Sequence, residues 1–490
     1  MDSTELAFSP ALEQAALVRN REVSPVELID LYLERIDRLN PTLDAYLTVA
    51  ADGARDRARR AEKELAAGTD DLPPFLGVPI AIKDLNDTIG IVTTHGTAGW
   101  NQRIPEADDH MVTRIRDAGF VILGKTNTPE FGSAPVTESP GYPPARNPWN
   151  LDRTPGGSSG GSAAATAAGL CPIAQGSDGG GSIRIPSALC GLFGIKPSRG
   201  RISTAPYAPS FHAVNGPIAR TVADAAALLD AAAGYVTGDP YWAPPPTRPF
   251  LEEVGASPGR LRIAITTDPL LGGLETAPGN RDAAERAGAL LESLGHVVEP
   301  AAPVWPFDAA SIQIVTVAPQ MAAREAELPP LETLDPVNRF LVEAGRHIPA
   351  TTYLTASGDL VTRCRGVVGF FDDYDLLLTP TVPIPAPPIG EYTTMAARTD
   401  LQEFLARAMV EPAAMPAFAD LGRNTSPWNV TGQPAVSVPL CQDDDGLPLG
   451  VQLVGRPADE ATLVRVASQL EEACPWRDRR PPMATAGAAV

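Results

Sequence analysis

GSDGGGSIRIPS, residues 176–187, sets Ser182 directly behind three glycines. A glycine run of this kind has two physical uses. It lets the chain turn tightly where a sheet packs on a helix, and it lets backbone N–H groups converge on one point with no side chain in the way, where an oxyanion is stabilised. Taken alone, the run is open to both readings. Two other glycine motifs are excluded. A phosphate loop needs Lys-Ser/Thr after its last glycine, and a hydrolase elbow needs G-x-S-x-G, whereas Ser182 is followed by Ile183 and Arg184.

Working outward, TPGGSSGGSAA covers residues 154–164. Composition alone reads GGSSGGS as a flexible linker, but the segment runs from a Pro/Asn/Gly-rich loop into an Ala-rich helical stretch. Further upstream, Lys83 sits in the apolar segment GVPIAIKD, residues 77–84. A lone lysine there either snorkels from a strand end or is desolvated. In the second case its pKa falls and the neutral amine accepts a proton. The five histidines, His95, His110, His212, His296 and His347, lie beside no nucleophile motif and form no H-E-x-x-H pattern. Two serines and a lysine therefore carry the candidate chemistry, and no cofactor or metal is called for.

The chain has 490 residues, a formal net charge of -20, 44% hydrophobic and 20% charged residues, long enough for a large core. Its acidic balance argues against nonspecific binding to nucleic acid or anionic membranes. No run of about 18 uncharged apolar residues suggests a membrane span. The N-terminus lacks a signal-peptide pattern, and the five widely spaced cysteines (171, 190, 364, 441 and 474) form no C-x-x-C pair. Reduced thiols and a cytoplasmic location are the expectation.

Helical and strand patterns interleave. Ser24-Pro25-Val26-Glu27 reads as a capping box with proline at the first helical position, followed by apolar residues at helical spacing to Leu39. Further helices are expected over 54–67, 108–118, 162–170, 221–233, 281–293 and 459–471. Strands are expected over 76–82, 120–123, 260–266, 297–299, 374–383, 434–440 and 449–454. Pro79 should make the first strand irregular or place it near a sheet edge. The pattern is α/β, with helices covering a mixed or parallel sheet. Prolines are spread through the loops, which favours one domain over 1–480 with a frayed tail over 481–490.

Lys83, GGSSGG and GGGSIRIP, in this order, resemble the amidase signature family. GKTNTPEFG (124–132), RNPWNLDRTPGGSSGG (146–161), PWNVTGQPAVSVP (427–439) and GLPLGVQLVG (446–455) extend the resemblance over most of the chain. It implies the family's fold, a central mixed β-sheet covered by helices on both faces. It also implies that Ser182 is the nucleophile, Ser158 the bridging serine behind a cis peptide bond, and Lys83 the base. Backbone N–H groups of Gly179, Gly180, Gly181 and Ser182 are the implied oxyanion donors. Asp178 and Arg184 organise the loop, Ser159 holds the loop or contacts the relay hydroxyl, and Asn127 is a polar residue lining the site. Gly179 stands where family members commonly carry threonine, so the edge of the acyl site should be more open here.

GKTNTPE, ARNPWNL, GRIS, LPLGVQLVG and PWRDRRP further resemble bacterial hydrolases of the 6-aminohexanoate cyclic dimer type. The implied partners are a small apolar linear or cyclic amide and water. An anilide or carbamate is an alternative, as are a glutaminase subunit of a tRNA-dependent amidotransferase and a noncatalytic scaffold. A homodimer is the ordinary expectation for oligomeric state. The variable region, about 300–425, should shape the pocket. It contains Phe307, Phe370, Phe371, Phe404, Met409, Met415 and Phe418, for most of which core packing is the ordinary reading.

Overall fold

Ser24 caps the helix Pro25–Leu43 as its residue types dictate. Its Oγ accepts from the Val26 and Glu27 N–H groups, and the Glu27 carboxylate accepts from the Ser24 N–H. In this computed structural model, which describes residues 2–68, 71–206, 211–305, 309–392 and 417–485, that helix packs on an 11-stranded sheet. The strands are β1 (Tyr46–Val49), β2 (Pro79–Lys83), β3 (Val121–Thr126), β4 (Ile173–Asp178), β5 (Phe193–Lys196), β6 (Val214–Ala219), β7 (Arg262–Ile265), β8 (Val297–Pro300), β9 (Leu376–Pro380), β10 (Ala435–Gln442) and β11 (Pro448–Gly455). Their spatial order is β1-β3-β2-β4-β6-β5-β10-β11-β9-β7-β8. Parallel pairs (β3–β2–β4 and β9–β7–β8) flank an antiparallel middle, so the sheet is mixed.

Both faces are covered. Successive strand residues point to opposite sides, and β2 shows it: Ile80 and Ile82 join a cluster with the helices Val222–Ala232, Pro278–Ser293 and Glu460–Ala473. Ala81 joins a second cluster with the helices Pro25–Leu43, Ala51–Ala67 and Gly160–Ala167. Lys83, two residues beyond Ala81, shares the second face. Among the described residues no helix is long and apolar enough to cross a membrane. All five cysteines are free; Cys171, Cys190 and Cys364 are buried.

Several expectations are corrected. The strand holding Lys83 is interior, between β3 and β4, so of the two expectations for it the irregular strand holds and the edge position does not. Pro79 is tolerated because it is the first residue of the strand, and the register slips between Ile80 and Ala81. β1, β4, β5 and β6 and the helix Arg184–Cys190 were not anticipated. Within the expected tail, Pro482–Thr485 forms a helical turn whose Ala484 is buried in the second cluster, with Met483 packed beside it. Residues 486–490 lie outside the described residues.

In the variable region, Phe371 packs with Val367, Leu377 and Trp428, while Phe370 stacks on Tyr374. Both serve the core. Phe307, Phe404, Met409 and Met415 lie outside the described residues, and for Phe418 only the backbone is described. The helix Ala350–Gly369 contributes Val361, Cys364 and Val368 to a cavity of about 430 Å³ that Phe211 and Val430 also line.

Candidate active site

β2 ends in the apolar run Ile80-Ala81-Ile82 and delivers Lys83 into the protein, where its side chain is fully buried. Lys83 Nζ lies 2.7 Å from Ser158 Oγ, 3.0 Å from Ser177 Oγ and 3.4 Å from the Ser177 carbonyl. Burial penalises the ammonium and pushes its pKa down to about 7, although the charge of Asp178 acts in the opposite direction. A substantial fraction of the amine is therefore neutral at physiological pH, which is what a proton acceptor requires.

Ser158 follows a cis peptide bond from Gly157 and stands two residues before the helix Gly160–Ala167, with Ser159 between them. That helix starts in a crowded place. A Cβ on Gly161 would sit 2.3 Å from the Asn127 N atom, so only glycine lets the backbones approach closely enough for Gly161 N–H to bond the Asn127 carbonyl at 3.1 Å. Ser159 N–H donates to the Ser182 carbonyl at 3.1 Å, which lays the two serine segments side by side. Ser159 Oγ donates to the Ser177 carbonyl and accepts from the Ser177 N–H. Ser158 and Ser182 are 2% and 9% exposed. Gly180 is half-buried and Gly179 exposed, so this end of the loop is open to an incoming molecule.

The loop between β4 and the helix Arg184–Cys190 is wrapped around one buried ion pair. Asp178 Oδ1 accepts from the Gly181 N–H at 2.7 Å and from Arg184 Nη2 at 2.9 Å; Oδ2 accepts from the Ile183 N–H and from Arg184 Nε. Burial by itself raises the carboxyl's pKa. The Arg184 guanidinium overcomes this and holds Asp178 well below the usual carboxylate range. Arg184 in turn donates to the Thr425 carbonyl, Gln452 Oε1 and Asn429 Oδ1. Asn429 Nδ2 also bonds the Asp178 carbonyl and Oδ1. The guanidinium is thus satisfied on every side, the condition under which a buried pair is tolerated.

The three glycines are not equivalent. A Cβ on Gly181 would lie 2.2 Å from Thr425 Oγ1, and its φ is +130°, so this position demands glycine. At Gly179 and Gly180 the nearest atom to an added Cβ is 3.8 Å away and neither φ is positive. The Gly181 N–H is already donated to Asp178, which leaves those of Gly179, Gly180 and Ser182 as the candidate oxyanion donors.

The structure brings Lys83, Ser158, Ser159, Asp178, Ser182 and Arg184 into one site. Asn127 is placed differently from the expectation. Its Nδ2 donates to the Asp44 and Pro143 carbonyls, so its amide holds a neighbouring loop while its backbone receives the helix start. Ser177 and Gln175 escaped the sequence reading. They precede Asp178 by one and three residues in a strand that carries no alternating apolar signal. Asn429 and Gln452 lie in the flagged segments 427–439 and 446–455, but nothing in those segments singled them out. Among the described residues no cluster of His, Cys, Asp or Glu is arranged to hold a metal ion.

The family profile described as Amidase matches residues 27–464. A putative amidase of Synechocystis is 41% identical over 473 residues, covering 96% of this chain and 89% of the relative. The 6-aminohexanoate-cyclic-dimer hydrolase of Paenarthrobacter ureafaciens is 38% identical over 492 residues, covering 97% and 96%. A solved structure of 6-aminohexanoate cyclic dimer hydrolase complexed with substrate superposes with a TM-score of 0.89 at 34% identity, covering 98% of this chain and 99% of that one. This chain belongs to the amidase signature family and is a hydrolase acting on amide bonds.

Proposed function

We propose that the chain hydrolyses a small apolar linear or cyclic carboxylic amide, such as a 6-aminohexanoate cyclic dimer, through an acyl-enzyme on Ser182. The observation that carries this reading is the 2.7 Å approach of a fully buried Lys83 Nζ to Ser158 Oγ beside the Ser182 segment. As Ser182 Oγ attacks the carbonyl carbon, its proton passes to Ser158 Oγ while the Ser158 proton passes to Lys83 Nζ. The carbonyl oxygen becomes the oxyanion, facing the N–H groups of Gly179, Gly180 and Ser182. Collapse breaks the C–N bond as the Lys83 ammonium returns a proton through Ser158 to the leaving nitrogen. An amide nitrogen leaves as an amine only when protonated, so Lys83 acts first as base and then as acid. Water then attacks the acyl ester by the same proton path, releasing the carboxylic acid and restoring Ser182.

The similarity to cyclic-dimer hydrolases supports a cyclic or linear nylon-type oligomer as the first substrate to assay. The test is a panel of cyclic amides, anilides, short primary amides, carbamates and glutamine, together with intact-mass labelling by a fluorophosphonate. Ser182→Ala should abolish labelling and lower turnover by at least about 10³-fold. Undiminished labelling and turnover in that variant would remove Ser182 from the mechanism.

A further inference from the structure

The strand carrying Lys83 and the strand leading to Ser182 are barely paired to each other. The β2–β4 ladder registers at one position, Ala81 with Ala174. Beyond it, a side chain takes over. Gln175, fully buried on β4, accepts the Lys83 N–H on its Oε1 at 3.0 Å. Its Nε2 donates to Asn86 Oδ1 at 2.9 Å, Asn215 Oδ1 at 3.0 Å and its neighbour's carbonyl, Gly176 O, at 2.8 Å. One carboxamide therefore joins β2, β4, β6 and the loop after β2. Asn86 is itself fixed, since its Nδ2 donates to Asp109 Oδ2 at 2.8 Å and its carbonyl accepts from the buried Lys125 Nζ.

This placement has a consequence for Lys83. Its amine bonds Ser177, which lies on β4 two residues beyond Gln175. The distance between the two strands at this height decides whether Nζ sits between Ser158 and Ser177 and whether water reaches it. We infer that Gln175 is a positioning residue for the reaction proposed above, a side-chain splint that stands in for the missing backbone ladder and fixes the lysine-bearing strand against the serine-bearing one. The inference rests on the acyl-enzyme reading. Asp178, at the end of β4, is the charged group that acts on Lys83. Asp84, next along the chain, turns its Oδ2 to the Thr94 N–H and hydroxyl.

The test uses the full chain and two uncharged substitutions, Gln175→Met and Gln175→Asn. Both remove the bond to the Lys83 N–H, the first by chemistry and the second by length, and neither adds charge. The readout is the rate of Ser182 labelling by a fluorophosphonate between pH 5 and 10, followed by intact mass. This measurement needs no knowledge of the natural substrate. If the splint is lost, water enters between the strands and the penalty on the ammonium is relieved. The labelling rate at neutral pH should then fall about 10- to 100-fold, and its pH midpoint should rise by about one unit or more. A purely structural glutamine would lower thermal stability and leave the midpoint of the folded fraction in place. Should Gln175→Met not fold, Gln175→Asn decides. Folded variants with the wild-type midpoint overturn the inference alone. A wild-type chain that is never labelled and cleaves nothing in the panel overturns the acyl-enzyme reading and this inference with it.

Discussion

Lys83 Nζ is held 2.7 Å from Ser158 Oγ and 3.0 Å from Ser177 Oγ, so a fully buried amine is shared between two hydroxyls. The proposed base must be neutral to act, and burial places its midpoint at about 7 where an unperturbed lysine titrates at 10.5. The sign follows directly. Lowering the pH through 7 protonates the amine, so kcat/KM should fall about tenfold per pH unit on the acid side and level off above the midpoint. An ascending limb centred near pH 10 would mean that burial does not lower the Lys83 amine, and a limb that survives in Lys83→Met would mean that Lys83 is not the base.

The glycines before Ser182 should respond differently to alanine. Gly181→Ala forces a Cβ against Thr425 Oγ1 at a φ of +130°. It should cost about 1–3 kcal/mol in denaturant unfolding and cut Ser182 labelling. Gly179→Ala meets nothing closer than 3.8 Å and should change stability by less than about 0.5 kcal/mol. Equal losses at the two positions would contradict the distinction.

Arg184→Met leaves Asp178 buried without its counter-charge, while Gly181 and Ile183 still donate to it. Breaking one side of such a pair costs about 3–5 kcal/mol, and chemical denaturation should show it. Because the loop geometry depends on the same carboxylate, Ser182 labelling of the remaining folded protein should fall as well. A variant with unchanged midpoint and labelling would show that the ion pair does not organise this loop.

Glu471 gives a stability prediction away from the site. Its Oε2 accepts from the Val222 N–H, while Oε1 is buried without a partner. Burial raises its pKa from 4.5 to about 7. Between those values the folded chain holds a proton that the unfolded chain has lost, so stability falls as pH rises through this window. Glu471→Gln lacks that dependence. Its Tm should match the wild type near pH 4.5 and exceed it at pH 8. A difference that is constant with pH would exclude the linkage.

The sequence was most legible where local rules act alone. Ser24 and Glu27 announced a capped helix because a capping box needs nothing from the rest of the fold. The proposed triad positions could be named because Lys83, GGSSGG and GGGSIRIP occur together in the order of the family, whereas the glycine run alone is open to two readings. β4 was not legible, because Ile173-Ala174-Gln175-Gly176-Ser177-Asp178 spends its buried positions on hydrogen-bonding side chains. A strand whose neighbours are polar partners shows no apolar alternation. The interior position of β2 was hidden for a related reason. Pro79 argues for an edge only if the proline must donate within a continuous ladder, and here it opens the strand. The tail misled because Pro-Pro-Met-Ala-Thr has no visible period, yet one alanine finds a slot in the core.

The Arg184 guanidinium closes its hydrogen bonds on Thr425, Asn429 and Gln452, all far downstream of the serines. During synthesis, a chain that has emerged as far as Ser187 already carries Lys83, Ser158 and Ser182. It still lacks the acceptors that let a charged pair sit dry beneath the reactive loop. The loop that carries Ser182 is therefore completed only when residues 425–452 have packed onto it, so one guanidinium makes the order of this loop depend on chain more than 200 residues further along.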